Sequence, residues 1–202
     1  MSSAFVVGYT GETGKALVKE LIARKRFQKL VLFGRRKPET EFPSFVECKV
    51  IDFDKLDDLK QEFAGFEQGF NCLGSTRTHH GTEMFLKVDK EYTIKVAQIA
   101  KEGGCKHYHL VSSMGASKSR NLYTNTKWEA EEATIACNFD RVSIYQPGMI
   151  MVDRVESRPM EHFFRVSFFY QVLLSHRLKL DVISGYLQTN RVGLPHCFYY
   201  AG

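Results

Sequence analysis

Three glycines follow a short apolar run at the start of the chain and precede a segment with helical periodicity. Gly8, Gly11 and Gly14 are spaced three residues apart, residues 4–7 are apolar, and residues 17–22 carry apolar side chains at helical spacing. A strand, a glycine turn and a helix in this order leave backbone N–H groups unpaired at the start of the helix, where the helix dipole also attracts an anion. The spacing is related to the dinucleotide fingerprint G-x-G-x-x-G. It therefore predicts a turn that binds a pyrophosphate, with a helix-capping turn of some other α/β protein as the alternative.

Apolar runs and helical patterns alternate along the chain. The predicted strands are 4–7, 30–33, 46–51, 69–73, 108–112 and 142–145. Three helices are predicted between the later strands. A short helix runs through 56–63 with Asp54 as its N-cap, and a long helix runs through 85–99 and ends at Gly103-Gly104. The third helix runs from 123 to 137. Strands that alternate with helices predict a doubly wound parallel sheet covered on both faces, a Rossmann-type α/β fold in a single domain. Ligands of such sheets bind at the carboxyl ends of the strands.

The composition is that of a globular protein. The 202 residues are 44% hydrophobic and 25% charged, which is enough apolar material for a sizeable core. The net charge of +5 is spread thinly, with no run of Lys and Arg longer than Arg35-Arg36-Lys37, so we expect no nucleic-acid partner. No apolar stretch approaches the ~18 residues of a membrane-spanning helix, and we expect no signal peptide. The five cysteines are odd in number and far apart, which is typical of reduced thiols in the cytosol or nucleus.

The residues after the second predicted strand indicate which dinucleotide is bound. Sites for NAD usually place an acidic residue there, which binds the ribose 2′-hydroxyl. This chain instead has Gly34-Arg35-Arg36-Lys37. A guanidinium binds phosphate through a planar fork and stacks on aromatic rings, so we expect Arg35 and Arg36 to hold the 2′-phosphate and adenine of NADP. The alternative is a solvated basic loop.

A tyrosine and a lysine four residues apart, Tyr123 and Lys127, lie in the predicted helix 123–137. At this spacing the two side chains share one face of the helix. A lysine ammonium stabilises a nearby phenolate, which makes the pair suitable for proton transfer during carbonyl reduction. Ser112 and Ser113 end the fifth predicted strand, where a hydroxyl can hydrogen-bond a substrate carbonyl. The pattern Y-x-x-x-K is common by chance, and it gains weight here from the glycine turn and the serine pair.

In combination these motifs resemble the short-chain dehydrogenase/reductase family. The resemblance rests on the glycine turn, on Leu73-Gly74 after the fourth predicted strand, on the serine pair and on Tyr123/Lys127. A closer resemblance, to an atypical branch of this family, rests on the segments Gly11-Glu-Thr-Gly14, Gly34-Arg-Arg36, Cys72-Leu-Gly-Ser-Thr-Arg77, Gly103-Gly-Cys-Lys-His107 and Glu156-Ser-Arg-Pro159. Together the matching motifs cover residues from about 4 to 165.

The resemblance implies a role for each candidate catalytic residue. Tyr123 is the expected catalytic acid and base, Lys127 is expected to bind the nicotinamide ribose and tune Tyr123, and Ser113 is expected to orient the substrate. The residues expected to bind NADPH are Gly8, Thr10, Gly11, Glu12, Thr13, Gly14, Arg35, Arg36, Asp52, Leu73, Gly74, Tyr123, Lys127 and Arg158. No metal site is expected.

The function that this resemblance implies is that of an NADPH-dependent oxidoreductase acting on a carbonyl or alcohol substrate. Members of the branch are linked to regulation through dinucleotide-dependent binding of nuclear transport receptors. An NADPH-sensing regulatory protein with such partners and little turnover is therefore an alternative, and an inactive scaffold is a third. The expected location is the cytoplasm, with the nucleus or the nuclear envelope as an alternative.

Two features depart from the family pattern. Asp89 lies near the place where the best-known branch has an asparagine, on the helix after the fourth strand, and this affects the expected proton relay. The tail 190–202 does not look like the corresponding part of the relatives. We therefore expect an NADP-binding core at 1–150 and a substrate-side extension at 151–202 that is shortened or divergent.

Overall fold

A computed structural model describes residues 2–38, 40–75, 77–147 and 189–191 of the chain. The strands in these ranges are β1 (Ser3–Val7), β2 (Lys29–Gly34), β3 (Val46–Val50), β4 (Gln68–Asn71), β5 (His107–Val111), β6 (Arg141–Tyr145) and β7 (Thr189–Arg191). The helical elements are α1 (Glu12–Ala23), a 3₁₀ helix (Phe53–Phe63), α2 (Arg77–Leu86), a π-helical segment (Lys87–Tyr92), α3 (Thr93–Glu102) and α4 (Leu122–Ala136). The strands form one sheet in the order β3-β2-β1-β4-β5-β6-β7.

The first six strands are parallel, as predicted for a doubly wound sheet. The chain passes from β1 outward to β2 and β3, and then returns to the other side of β1, where β4 pairs with it. The strand order therefore reverses between β1 and β4, which is where open α/β sheets bind ligands. The ends of β1, β4 and β5 lie side by side, because Val7 pairs with Asn71 and Asn71 pairs with Leu110.

Alternating side chains of β1 and β2 fill the core on both faces of the sheet. Phe5 and Phe33 lie in a cluster of aromatic side chains with Phe63 of the 3₁₀ helix, and all three are fully buried. The rings of Phe33 and Phe63 stack with their centroids 4.3 Å apart. On the opposite face, Val6 packs in a second cluster with Val18 of α1. Full burial of one such side chain contributes about 1.5–3 kcal/mol, so this packing stabilises the sheet that positions the site.

The sequence does not predict the seventh strand. Residues 189–191 form β7 antiparallel to β6, with Arg191 opposite Ile144. All three residues of β7 are polar, so they show no alternation that would indicate a strand. The rest of the predicted extension 151–202 lies outside the described residues, and its boundary with the core stays a prediction. In the part of the chain that the structure describes, no helix has the length and apolar character needed to cross a membrane.

Two helix predictions are wrong in detail. Asp52, not Asp54, caps the helix after β3: its backbone is still extended, and its Oδ1 accepts a 3.0 Å hydrogen bond from the N–H of Asp54. The long helix predicted through 85–99 is divided into α2, the π-helical segment and α3, and α2 contains a kink at Gly81, where φ is +77°. π-Helical turns are frequent at functional sites, and the one found here carries a residue of the candidate site.

Two histidines of β5 lie on one face of the strand. The rings of His107 and His109 are 3.8 Å apart, and Nδ1 of His109 lies 3.0 Å from the hydroxyl of Tyr145. Burial, with a smaller contribution from the charge of Arg141, lowers the pKa of His109 to about 3 and that of His107 to about 4. Both histidines are therefore neutral in the folded protein at a pH where an unfolded histidine takes up a proton.

We expect the free energy of unfolding to fall as the pH is lowered from about 7 to 5. In that range the unfolded chain binds protons at these histidines and the folded chain does not, so protonation favours unfolding. For His109 alone the loss at pH 5 is about 2 kcal/mol, which chemical denaturation at the two pH values measures. The His109→Gln variant should lose most of the pH dependence of the free energy of unfolding that His109 contributes. An unchanged pH dependence in that variant would show that another group is responsible.

Candidate functional site

The turn after β1 leaves little room for side chains. Gly8 has a φ of +76°, and a Cβ on it would lie 2.5 Å from the carbonyl oxygen of Cys72. A Cβ on Gly14 would collide with the carbonyl of Gly8. Gly11 is the N-cap of α1, and its N–H donates a 3.1 Å hydrogen bond to the carbonyl of Gly8. The glycines therefore bring β1, the end of β4 and the start of α1 close together and form a backbone cradle.

The first turn of α1 offers backbone N–H groups to an anion. Gly11 has no side chain that could cap the helix. Thr10 is exposed, and Glu12 and Thr13 are partly exposed. The carboxylate of Glu12 is directed to Lys15, whose Nζ lies 3.3 Å away. The helix dipole and the unpaired N–H groups together suit the pyrophosphate of a dinucleotide.

Arg35 and Arg36 are exposed directly after β2. Tyr9, in the turn after β1, is buried, and its hydroxyl donates a 3.0 Å hydrogen bond to the carbonyl of Arg36. Gly34 makes room for this ring, because a Cβ there would lie 2.6 Å from Cε1 of Tyr9. Burial raises the pKa of Tyr9, so the phenol remains a donor. Tyr9 thus ties the arginine segment to the glycine turn.

Tyr9 was not among the predicted site residues. Its position in the sequence could have indicated Tyr9 as a site residue. It is an aromatic residue inside the glycine motif, where a small residue is expected beside a phosphate. Since Tyr9 contacts the second strand end through Gly34 and Arg36, it connects two parts of the predicted cofactor site.

The turn after β4 is shaped by a buried amide. Oδ1 of Asn71 accepts a 3.0 Å hydrogen bond from the N–H of Leu73, and its Nδ2 donates to the hydroxyl of Tyr108, also at 3.0 Å. The next residue, Gly74, lies against the predicted catalytic lysine, since a Cβ on Gly74 would be 3.9 Å from Nζ of Lys127. Leu73 and Gly74 therefore connect the glycine turn with the lysine.

Lys127 forms a buried ion pair with Asp89. Its Nζ lies 2.8 Å from Oδ1 of Asp89, and the two side chains are only 9% and 1% exposed. The second carboxylate oxygen accepts hydrogen bonds of 2.8 Å from both the N–H and the hydroxyl of Ser75. Asp89 belongs to the π-helical segment. The residue that departs from the family pattern in sequence is thus the direct ionic partner of the lysine.

Replacing Asp89 with asparagine is expected to lower the free energy of unfolding by about 3 kcal/mol, because the buried ammonium of Lys127 loses its counter-charge. Chemical denaturation measures the difference. Glu102→Gln is a matched control: it breaks an exposed ion pair with Lys60 whose atoms are 2.7 Å apart, and such pairs contribute at most about 1 kcal/mol. Equal losses in the two variants would mean that burial of the pair does not matter.

Tyr123 lies one helical turn before Lys127 in α4 and is 41% exposed. Asn121 caps α4, and its Oδ1 accepts the N–H of Tyr123 at 2.9 Å. The ring of Tyr123 stacks on Phe85 with the centroids 5.6 Å apart. The ring is therefore held by an apolar contact, while the side chain stays accessible to a ligand.

The two serines after β5 have different environments. Ser112 is buried, and its hydroxyl donates to the carboxylate of Glu131. Ser113 is partly exposed, and its hydroxyl makes a long hydrogen bond of 3.4 Å to the carbonyl of Met114. Of the pair, Ser113 is the more accessible to a ligand, and its role in orienting a substrate stays a prediction.

Asp52 and Arg158 complete the predicted cofactor set. Asp52 is exposed at the end of β3, where it caps the 3₁₀ helix, and its contact with a cofactor stays a prediction. Arg158 lies outside the described residues. The other predicted residues lie at the carboxyl ends of β1, β2, β4 and β5 and in the first two turns of α4, at one edge of the sheet.

Comparison with known proteins shows the family of the chain. The sequence profile of the NAD(P)H-binding family matches residues 8–139, a range that contains the glycine turn and the Tyr123/Lys127 pair. The chain belongs to this NAD(P)H-binding family. It is 46% identical over 162 residues to the protein HTATIP2 of Rattus norvegicus, covering 79% of this chain and 67% of that protein. It is 32% identical over 169 residues to the mitochondrial protein fmp52 of Emericella nidulans, covering 80% of this chain and 72% of that protein.

Solved structures share the fold. The Bordetella bronchiseptica enzyme WbmH, in complex with NAD+, matches with a TM-score of 0.68 at 14% identity, covering 84% of this chain and 63% of WbmH. The chain spans about half the length of several other solved structures that it matches. The predicted Rossmann-type fold and the resemblance to an atypical reductase branch are confirmed. The cytoplasm or nucleus as the location of this protein stays a prediction, and the fungal relative is named as a mitochondrial protein.

Proposed function

We propose that this protein is an NADPH-dependent oxidoreductase that interconverts a carbonyl and an alcohol. The observation that carries the proposal is the place of α4: Lys127 lies against Gly74 at the ligand-binding edge of the sheet, and Tyr123 precedes it by one helical turn. A protein that only binds a dinucleotide needs the cradle alone. A phenol and an ammonium beside it are the groups that proton transfer to a carbonyl requires.

The cradle fits NADPH. The start of α1 would hold the pyrophosphate, because Gly8 and Gly14 let the backbones of β1, β4 and α1 approach closely and the N–H groups of the first turn of a helix have no partner within the helix. Arg35 and Arg36 would hold the 2′-phosphate, since both are exposed and Tyr9 fixes the backbone that carries them. When bound, NADPH supplies the hydride for the reduction.

The residues of α4 and the end of β5 have separate roles in this proposal. Tyr123 donates its proton to the carbonyl oxygen during reduction and accepts it in the reverse direction. Lys127, paired with Asp89 at 2.8 Å, donates hydrogen bonds to the ribose hydroxyls of the cofactor and stabilises the phenolate that Tyr123 becomes. The hydroxyl of Ser113 orients the carbonyl.

Oxidation of NADPH in the presence of a panel of aldehydes and ketones tests the proposal. We expect turnover with at least one class of carbonyl compound, and transfer of deuterium from labelled NADPH to the carbonyl carbon of the product. Saturable NADPH binding with no turnover across the panel would favour the NADPH-sensing alternative. In that case the binding of a protein partner should change with NADPH and should not need the hydroxyl of Tyr123.

A further inference from the structure

Glu131 is a fully buried carboxylate that has no part in the proposed proton transfer. It follows Lys127 on α4 by four residues, so the two side chains share a face of the helix. Its oxygens accept hydrogen bonds from the hydroxyl of Ser112 and from Nε2 of Gln146, which lies 2.8 and 3.0 Å from the two oxygens. Within the described ranges, its hydrogen-bond donors are these two neutral side chains.

Packing alone does not account for a carboxylate at this position. Burial of an ionised carboxylate away from water is costly, and neutral donors offset that cost only in part. An apolar side chain at position 131 would avoid the cost. The carboxylate instead joins three elements of the fold. Glu131 lies on α4, and its two donors, Ser112 and Gln146, lie directly after β5 and β6.

The bond to Ser112 determines where the next residue points. The N–H of Ser112 donates a 2.7 Å hydrogen bond to the carbonyl of Tyr145, so the segment after β5 continues the extended pairing with β6. Successive side chains of an extended segment point to opposite sides. With its hydroxyl bound to Glu131 in the interior, Ser112 directs Ser113 to the opposite, accessible side.

We propose that Glu131 is a positioning residue of the candidate site: it ties Ser112 and Gln146 to α4 and thereby fixes Ser113 relative to Tyr123. The inference rests on the proposed function. Glu131 acts through its two donors and does not touch the substrate. A misplacement of about 1 Å at a reacting group lowers the rate by about 10²-fold, so loss of this link should appear in kcat.

The test compares Glu131→Ala with Glu131→Gln. Glutamine keeps an oxygen that can accept the hydroxyl of Ser112, and the amide of Gln146 can rotate to match it, whereas alanine removes the link. We expect kcat per folded molecule to fall by about tenfold or more in the alanine variant and to recover to within about threefold in the glutamine variant. The Kd for NADPH should change by less than about twofold in both. A wild-type kcat in the alanine variant would overturn the proposal.

Two further variants complete the design. Ser112→Ala removes the same link from the other side and should reproduce the loss of kcat if Glu131→Ala does not fold. Glu129→Gln is the control on the same helix. It breaks an ion pair with Lys90 whose atoms are 2.7 Å apart and whose side chains are both partly exposed, and it should keep the wild-type kcat. A wild-type kcat in Ser112→Ala would contradict a link through that hydroxyl.

A second measurement does not depend on turnover. The N–H groups of Ser112 and Met114 donate to carbonyls at and beyond the end of β6, at 2.7 and 3.0 Å, and their hydrogen exchange should rise by about tenfold in Glu131→Ala. The exchange of Gly11, in the turn after β1, should stay the same. If the wild-type protein shows no turnover, the proposed function fails, and the exchange data still decide the role of Glu131. Unchanged exchange at both amides would overturn the proposal.

Discussion

Replacing Tyr123 with phenylalanine is expected to lower kcat by about 10²- to 10⁴-fold, which is what a positioned general acid contributes to a reaction. The substitution removes only the hydroxyl. The ring can keep its stack on Phe85, whose centroid lies 5.6 Å away, and α4 keeps its cap at Asn121. Steady-state kinetics of NADPH oxidation, with the best carbonyl substrate of the panel, measures the loss.

Two controls separate a loss of chemistry from a loss of structure. The Kd for NADPH and the free energy of unfolding should stay close to their wild-type values, because the 41% exposed side chain of Tyr123 contributes little to the core. Tyr92→Phe also removes a phenolic hydroxyl, one that donates to Asp54 at 2.5 Å, and should keep the wild-type kcat. A Tyr123→Phe protein as active as the wild type would rule out the acid–base role.

Replacing both Arg35 and Arg36 with alanine should weaken NADPH binding by about 10- to 100-fold and NADH binding by a much smaller factor, because the two cofactors share only the arginines' contact with adenine. A hydrogen bond to a charged group contributes about 1.5–3 kcal/mol, and about 1.4 kcal/mol corresponds to a tenfold change in Kd. Only the 2′-phosphate distinguishes the two cofactors. Both arginines are exposed, so the double variant should fold normally, and fluorescence titration with each dinucleotide measures the effect.

Lys37→Ala is the matched control for the arginines. Lys37 follows Arg36 and is also exposed, so its replacement removes one positive charge from the same segment, against two in the arginine variant, without removing a guanidinium fork. Its Kd for NADPH should rise by less than about threefold. If Lys37→Ala lost as much NADPH affinity as the arginine variant, the arginines would act only through general electrostatic attraction. An equal loss of NADH affinity in the arginine variant would place the arginines elsewhere than at the 2′-phosphate.

The sheet and the glycine turn could be predicted because their signals are local. Residues 4–7 and 30–33 are continuous apolar runs, as strands of a parallel sheet buried on both faces require. Gly8 and Gly14 lie where the backbones of β1, β4 and α1 come too close for a Cβ. Only glycine fits at these two positions, so the close approach appears in the sequence as glycines at a fixed spacing.

The partners of the site residues could not be predicted, because they come from distant parts of the chain. Apart from its place in the family pattern, nothing in the sequence near Asp89 distinguishes it from an exposed acid on a helix. Its burial against Lys127 depends on the π-helical segment, which interrupts the periodicity that places side chains on a helical face. The contact of Ser112 with Glu131 spans 19 residues and becomes visible only when β5 and α4 are packed together.

The central claim is that the cradle at the ends of β1, β2 and β4 binds NADPH, and equilibrium titration of the wild-type protein with NADPH and with NADH tests it most directly. We predict saturable binding of NADPH at one site per chain, with a Kd at least about tenfold lower than that for NADH. No saturable binding of NADPH, or equal Kd values for the two dinucleotides, would contradict the assignment of this site to NADPH.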